Sequence, residues 1–502
     1  MTSRNRLLDK AVIGILALSL AGCATEALKQ APAAPDQPWK PASRKNGPAH
    51  KADDRDFSVP ANPELALVSN PVSINTQKTY GLADLIDLAQ RSNPSTRNAW
   101  EKARQAALAV GMTEATMVPI ITANVIGGVQ KTTTPVDVPL LGERNINTTL
   151  KGVTPALALQ WLVFDFGQRA ALRDAAKQVS FAANVGFNAM HQKLIFDVTR
   201  TYYEYCAAVS GTRIAEQTLR NSKAVLAAVE AKLKEGTTTT VELALAKQQV
   251  AQAELRLVKA TGQQQTAYQA LLTAMGVNAT LNIKVDGSLN RPLPVKFDGV
   301  TQSMLETALA QRPDVIASYA ALKASKFATK AAEAEFMPKV FVAGTLASTS
   351  NSFNAGSLPT IGNQTSGMGI LVGATVPLYD GGLRAAQLRN AQSTERAAAE
   401  TFRQVQLDAV AEIVLAANAL KTALAANKAA GVLVQTSATA FDAALEAYRN
   451  GLGTITTVNE TNNALLDARL AHTDAQAAAL IGAANLAFFT GALTSSSKLP
   501  GL

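Results

Sequence analysis

The chain repeats itself, and that constrains its fold more than any other feature. Pro94 and Pro119 reappear as Pro313 and Pro338. Asp165, Gly167 and Arg169 reappear as Asp380, Gly382 and Arg384, and Gly236, Thr239 and Gly276 as Gly451, Thr454 and Gly491. Three ordered groups of conformationally special residues at an offset of about 215 describe a duplication, not a solenoid, whose repeats run to about 20–50 residues. Residues 80–290 form the first copy and 291–493 the second, with a tail at 494–502.

Both copies read in one order. A helix of about forty residues (82–118; 304–337) stops at a proline, which cannot donate to a helix and disfavours the α region in the residue before it. Two strands come next, then Asp-x-Gly, then a helix of about seventy residues (168–235; 383–450), a Gly/Thr turn and a further helix of about forty (241–275; 455–490). No proline lies between Pro155 and Pro292 or between Pro377 and Pro500, so the long spans can stay helical. Leu172, Ala176, Val179, Ala183, Phe187, Met190, Leu194, Val198, Tyr202, Tyr205 and Val209 step by three and four, an alanine-rich, coiled-coil-like seam. At 1.5 Å per residue the long helix spans about 100 Å, which two shorter helices stacked end to end would match.

The strand candidates obey a period of two. Ile121, Ala123, Val125 and Gly127 oppose Thr122, Asn124 and Gly128, and Val340, Val342, Gly344 and Leu346 keep that parity. Val153, Pro155, Leu157, Leu159, Trp161 and Val163 oppose Gly152, Thr154, Ala156, Ala158 and Gln160, a pattern repeated by Ile370, Val372, Ala374, Val376 and Leu378. One greasy face against one small or polar face is the pattern of a transmembrane β-barrel. Each strand is expected to run roughly ten to thirteen residues, enough to cross a bilayer when tilted. The connections at 131–149 and 350–366 read as exposed outer loops, and Trp161, Phe164, Phe166 and Tyr379 as an interfacial aromatic belt. Four strands cannot close a barrel, and an open edge in lipid leaves several kcal/mol per unpaired backbone group. The chain must therefore share its barrel. Two copies would give eight strands and a filled interior; three give twelve and a passage lined by Gly, Thr, Ala and Gln.

At the N-terminus Arg4, Arg6 and Lys10 precede the apolar run 11–20, too short to span a bilayer, which reads as a signal peptide over residues 1–22. It ends in "LAGC", which resembles the bacterial lipoprotein cleavage box, with Cys23 as the acylated first residue and Ala24 resembling the outer-membrane sorting class. Residues 23–79 form a lipidated, Pro-rich tether. Cys206 then has no partner and reads as a small buried apolar residue. The net charge of +9 is scattered rather than clustered, which gives nucleic-acid binding little support. No G-x-S-x-G, Walker-type loop, C-x-x-C or H-E-x-x-H is present, and His50, His191 and His472 lie far apart, so no catalytic residue, metal site or cofactor beyond the lipid on Cys23 is expected. "DGGLR" at Asp380 could be a phosphate-cradling turn. Its twin "DFGQR" at Asp165 lacks the second Gly and occupies the same joint, which favours a structural role.

The duplicated order, the Pro-ended helix before each first strand, the Asp-x-Gly passages and "YRNGLGTITTVNETNNALLDAR" at 448–469 together resemble the TolC-type outer-membrane efflux channel family. The resemblance covers about residues 80–493. It implies a membrane β-barrel plus a long α-helical barrel, internally duplicated, built as a homotrimer with four strands per chain. It places the chain in the Gram-negative outer membrane with helices projecting into the periplasm. Its partners would be a periplasmic adaptor protein and an inner-membrane pump of the RND or ABC type. The resemblance also makes Glu460, Thr457, Tyr448 and Glu242 periplasmic gate candidates, with Gly453 where a latching arginine is expected. The turns at Gly236, Thr239, Gly451 and Thr454 are the candidate adaptor-docking sites, and Asp165, Gly167, Asp380 and Gly382 the strand-to-helix joints. Small-molecule efflux is the expected function. One-step (type I) protein secretion and a lipid-tethered structural coiled coil without a pore are the alternatives.

Overall fold

The computed structural model describes residues 74–493 apart from 139–141, 290, 294–296, 298 and 356–358, together with 31–32, 34–36, 57 and 65. The chain divides into two units, Met1–Ser69 and Asn70–Leu502, and the second carries every element below. The leader, Cys23 and the tail at 494–502 lie outside the described residues.

A short strand β1 (Thr79–Tyr80) leads into helices α1 (Leu82–Ser92) and α2 (Pro94–Ala115), strands β2 (Ile120–Val138) and β3 (Gly142–Phe164), and helices α3 (Gln168–Lys234) and α4 (Thr240–Met275). After β4 (Lys284–Val285), which pairs in parallel with β1, the second copy gives α5 (Gln302–Gln311), α6 (Pro313–Ala334), β5 (Lys339–Ala355), β6 (Ile361–Thr375), α7 (Leu383–Arg449) and α8 (Ile455–Phe489).

The first helix of each copy is two helices, not one rod. Pro94 and Pro313 each take the first helical position of a new helix and hold the residue before them extended: Asn93 at φ −70, ψ 125 and Arg312 at φ −67, ψ 125. Both breaks are tied to the last turn of a neighbouring helix. Asn93 Nδ2 donates to the Ala274 carbonyl at 3.0 Å, and Arg312 Nη1 donates to the Phe489 carbonyl at 3.3 Å. Arg312 is buried and also donates to both Asp314 oxygens and to Glu412 Oε2 at 2.6 Å. Beside these breaks Gly276 (φ +70) and Gly491 (φ +72) end α4 and the turn after α8. A Cβ on Gly276 would lie 2.9 Å from Asn93 Cα, and one on Gly491 3.0 Å from the Gln311 carbonyl oxygen.

The four long strands form one antiparallel sheet in the order β2-β3-β5-β6. They are longer than expected. The ladder runs through the stretches read as loops, pairing Lys131 with Thr149 and continuing to Val138 opposite Gly142; Ser350 pairs with Gln364 and Phe353 with Ile361. Thr132, Thr133, Thr134 and Val136 explain this: β-branched residues favour the extended ladder whether or not lipid covers it. The opposite end falls short, since β6 stops at Thr375 and leaves Val376 and Leu378 beyond the ladder. Residues 74–78 belong to the folded unit, not the tether, for Ile74 packs on the core around Tyr80 and Leu85.

The long helix α3 packs against α2 and α6 and also against α4 and α8, while α7 packs against α6 and α8. An apolar core gathers Leu85, Leu194, Val198, Leu271, Met275 and Leu480 where α1, α3, α4 and α8 meet, and a second, with Val229, Phe441, Ile455 and Val458, fills the helical tips. Between them lies a polar layer. Buried Asn462 donates to Ser222 Oγ at 3.3 Å and accepts from Asn221, while Asn463 Oδ1 accepts from Gln249 at 2.8 Å and from Arg256 at 2.7 Å. Cys206 is fully buried on α3 as expected, and its thiol also donates to the Asp286 carbonyl.

Candidate functional site

The sheet has an inside and an outside. Register places Ile121, Leu159, Gly344 and Ile370 on one face, and Thr122, Ala158, Thr345 and Gly369 on the other, so the parity read from the sequence holds up to Leu162, beyond which a register shift sets Phe164 rather than Val163 against Val340. The apolar face is splayed: Val125 is 74 % and Ile370 84 % exposed in the single chain. On the small, polar face side chains converge. Thr154 and Thr349 hydroxyls meet at 3.2 Å, the Asn351 amide occupies the space a Cβ on Gly152 would need, and the Phe341 ring lies across Gly373. That convergence marks the concave wall, which carries Gly, Ala, Thr, Asn and Gln with Ile126, Phe341 and Leu371 among them, while the more continuous apolar face points outward.

Each strand-to-helix joint is a carboxylate clamp. After β3, Asp165 Oδ1 accepts from the Gly167 amide at 3.2 Å, and Oδ2 from the Arg169 amide at 3.0 Å and from Arg169 Nε at 2.6 Å; Arg169 Nη1 then reaches the Thr116 carbonyl at 2.7 Å. Two amides at the start of α3 are thus satisfied by one carboxylate, and the arginine ties the joint to the end of α2. Asp380, Gly382 and Arg384 repeat the clamp at the start of α7. Gly167 (φ +88) and Gly382 (φ +89) sit in the left-handed region, as do the residues before them, Phe166 (φ +52) and Gly381 (φ +66). The first copy therefore tolerates a phenylalanine where glycine costs nothing, and the Phe166 ring packs edge-on against Phe164 at 4.7 Å. Burial alone would raise the Asp165 carboxyl, but the hydrogen bonds from Arg169 outweigh it and hold the group below its usual range. The Arg384 hydrogen bonds lower Asp380 likewise. The repeated arginines were visible in the sequence, but their pairing was not. Trp161 also bridges this level, donating from Nε1 to the Met117 carbonyl at 2.9 Å.

At the opposite end of the long helices the two tip turns are built alike. Gly236 (φ +73) and Gly451 (φ +77) end the turns of α3 and α7; Thr239 caps α4 by accepting the Glu242 amide, and Thr454 caps α8 by accepting the Thr457 amide, both at 3.3 Å. Glu242 and Thr457 are therefore counterparts in the duplication. Tyr448 is buried and donates to Glu242 Oε2 at 3.1 Å, and the Thr238 hydroxyl donates to the same oxygen. Burial, with the Glu242 hydrogen bond added, raises the Tyr448 phenol. Sequence reasoning missed Lys232. Its ammonium donates to the Tyr448 carbonyl at 2.5 Å and lies 4.5 Å over the tyrosine ring, joining the ends of α3 and α7. The only sequence sign was a lysine in the last turn of α3, a favoured place for a cation. At Gly453 a Cβ would lie 3.2 Å from the Tyr448 amide nitrogen and 3.3 Å from Ala447 Cβ, so a larger residue there requires the turn to shift. Glu460 is exposed, forms no hydrogen bond or ion pair among the described residues, and at 100° per residue faces away from buried Val458 and Asn462.

Comparison with known proteins agrees with this architecture. The chain is 25 % identical over 455 residues to the pyoverdine export outer membrane protein OpmQ of Pseudomonas putida, covering 90 % of this chain and 91 % of that one. It is 27 % identical over 266 residues to the probable outer membrane lipoprotein SilC of Salmonella typhimurium, covering 51 % and 56 %. The crystal structure of the Campylobacter jejuni CmeC outer membrane channel shares its fold, with a TM-score of 0.69 at 18 % identity over 83 % of this chain and 87 % of that chain. The family described as outer membrane efflux protein matches residues 85–277 and 304–492, one match in each repeat. The chain belongs to the outer membrane efflux protein family and is an outer-membrane channel component of an efflux system.

Proposed function

We propose that three copies of the chain close their sheets into one twelve-stranded barrel and line up α3, α4, α7 and α8 as a tunnel through the periplasm, a conduit for small molecules in a tripartite export system. One observation carries this reading: β2 and β6 are the edges of a four-stranded sheet whose outer face is apolar. In hydrocarbon each unpaired edge group costs several kcal/mol, and only pairing β2 of one copy with β6 of the next satisfies them all. The helices leave a matching demand. Only 28 % of the most apolar 18-residue stretch of α7 is buried in the single chain, and Leu407, Leu415, Val432 and Leu433 stand exposed for a neighbouring copy to cover.

The remaining assignments follow from position. Acylation of Cys23 adds an anchor to the outer membrane, in keeping with the lipoprotein name of SilC. The exposed turns around Gly236, Thr239, Gly451 and Thr454 meet a periplasmic adaptor protein, which joins the conduit to an inner-membrane pump of the RND or ABC type. Glu460, repeated three times, rings the periplasmic end, and the Tyr448–Glu242 bond holds that end closed. Chemistry resides in no residue of the chain, and no cofactor is required beyond the lipid. Neither a coiled coil without a pore nor one-step protein secretion gains support from the relatives.

Light scattering of the detergent-solubilised mature chain tests the assembly. A mass of three chains is expected, and a monodisperse single chain that stays soluble without detergent would sink the reading. Metabolic labelling with palmitate should mark the wild type and not Cys23→Ser.

A further inference from the structure

The concave wall carries scattered apolar side chains and gathers them most densely in one row. Following the ladder from the joints outward, its rows read Leu162, Phe341, Gly373; then Ile120, Gln160, Ala343, Leu371; then Thr122, Ala158, Thr345, Gly369; then Asn124, Ala156, Ala347, Gly367. The row at Thr154 holds Ile126, Thr349 and Thr365 beside it, and the next is Gly128, Gly152, Asn351 and Asn363. Immediately beyond that glycine–asparagine row come Gln130, Leu150, Phe353 and Ile361, followed by Thr132 and Thr148. Among the described residues this is the one concave row in which three of four side chains are large and apolar, and it follows the narrowest side chains in the sheet.

Its height is fixed by the other face. On β3 outward residues remain apolar from Trp161 to Val153 and turn charged at Lys151, in register with Val129; on β5 and β6 they turn polar sooner, at the Ser348–Ser366 pair one step beyond Leu346 and Met368. Trp161 to Lys151 is ten residues, about 33 Å along the strand at about 3.3 Å each, or about 25 Å of height at a tilt of about 40°, the thickness of an outer-membrane apolar band. The apolar concave row therefore lies at the outer end of the apolar band on β3 and past it on β5 and β6, climbing obliquely because it runs perpendicular to tilted strands.

We infer that Leu150, Phe353 and Ile361, repeated around the barrel, form an apolar collar at the external mouth that selects amphiphilic organic cargo over hydrated ions. The inference rests on the barrel proposed above. A ring of large apolar side chains gives hydrating water no hydrogen-bond partners, so a charged solute gains nothing from it, whereas an amphiphile exchanges water for side-chain contact. The wider glycine–asparagine row beneath it offers amide groups to a solute that has entered.

Cysteine labelling from outside intact cells tests the collar. The native thiol of Cys206 is buried and its pKa is pushed up to about 12, so it contributes little background. With Ala347→Cys as a reporter on the concave wall below the collar, a charged, membrane-impermeant methanethiosulfonate should react slowly, and adding Phe353→Ser should speed it on the order of tenfold, one decade of rate. An uncharged apolar thiol reagent should label both proteins at similar rates. Equal rates for the charged reagent with and without Phe353→Ser overturn the collar. A Ser348→Cys reporter, on the outward face, separates the two readings: if position 348 and not 347 is the water-accessible one, the barrel itself is wrong.

Discussion

Replacing Asp165 by asparagine isolates the charge of the strand-to-helix clamp while keeping one acceptor oxygen. The carboxylate accepts three hydrogen bonds, and its side chain is 8 % exposed against 13 % for that of Arg169, so solvent screens the pair little. Losing a helix cap costs about 1 kcal/mol, and a hydrogen bond to a charged partner is worth about 1.5–3 kcal/mol. Part of the cap survives in asparagine, so the expected loss is about 3 kcal/mol, about 3 °C in unfolding temperature for a chain of this size. The sign with pH follows from the lowered carboxyl. Its stabilisation is complete above the unfolded value of 3.8 and disappears as pH falls through the folded pKa. Thermal melts of the detergent-solubilised protein at neutral pH should show the gap between wild type and Asp165→Asn, and melts in acid should show the two converge. A gap of the same size in acid, or none at neutral pH, would refute the clamp. Asp380→Asn should shift the melt less, since its side chain is more open to water.

Gly276→Ala should destabilise by more than the roughly 1 kcal/mol expected at Gly236→Ala: both residues are left-handed, but only at Gly276 does a Cβ strike backbone, that of Asn93. Thermal melts of the two variants check it, and equal losses would show that the close approach carries no energy. Lys232→Met should remove the cation from the Tyr448 carbonyl and ring, loosen the tip and raise single-channel conductance several-fold in planar bilayers, while Lys223→Met, at an exposed ion pair with Glu254, should leave conductance unchanged. Glu460→Gln should reduce cation preference, read as a reversal potential moved toward zero under a salt gradient; an unmoved potential removes Glu460 from the passage.

Legibility of the chain varied with the range of the interaction responsible. The two Asp-x-Gly joints, the paired prolines and the tip glycines could be read directly, because each requirement is local: a left-handed residue, a missing amide donor, a cap two to four residues away. The alternation of β2, β3, β5 and β6 was legible because parity survives any register that keeps the apolar face on one side. Strand ends were not, since the threonine-rich extensions beyond the bilayer carry the polarity of loops and the propensity of strands at once. The break at Asn93 is not legible locally, because a proline within an apolar period fits a kink as well as the first residue of a new helix.

What the sequence alone determined is the duplicated order of elements, the two-faced strands and the shortage of strands that demands partners, all consequences of backbone chemistry and spacing. Tertiary structure decided what meets across one repeat length. Lys232 reaches Tyr448, Arg312 reaches Glu412 and Phe489, Asn462 reaches Ser222, and the ladder registers Leu150 with Phe353 and Phe353 with Ile361. Those pairings depend on the packing phase between long helices and on strand register, quantities that no local pattern encodes and that only burial of the whole assembly fixes.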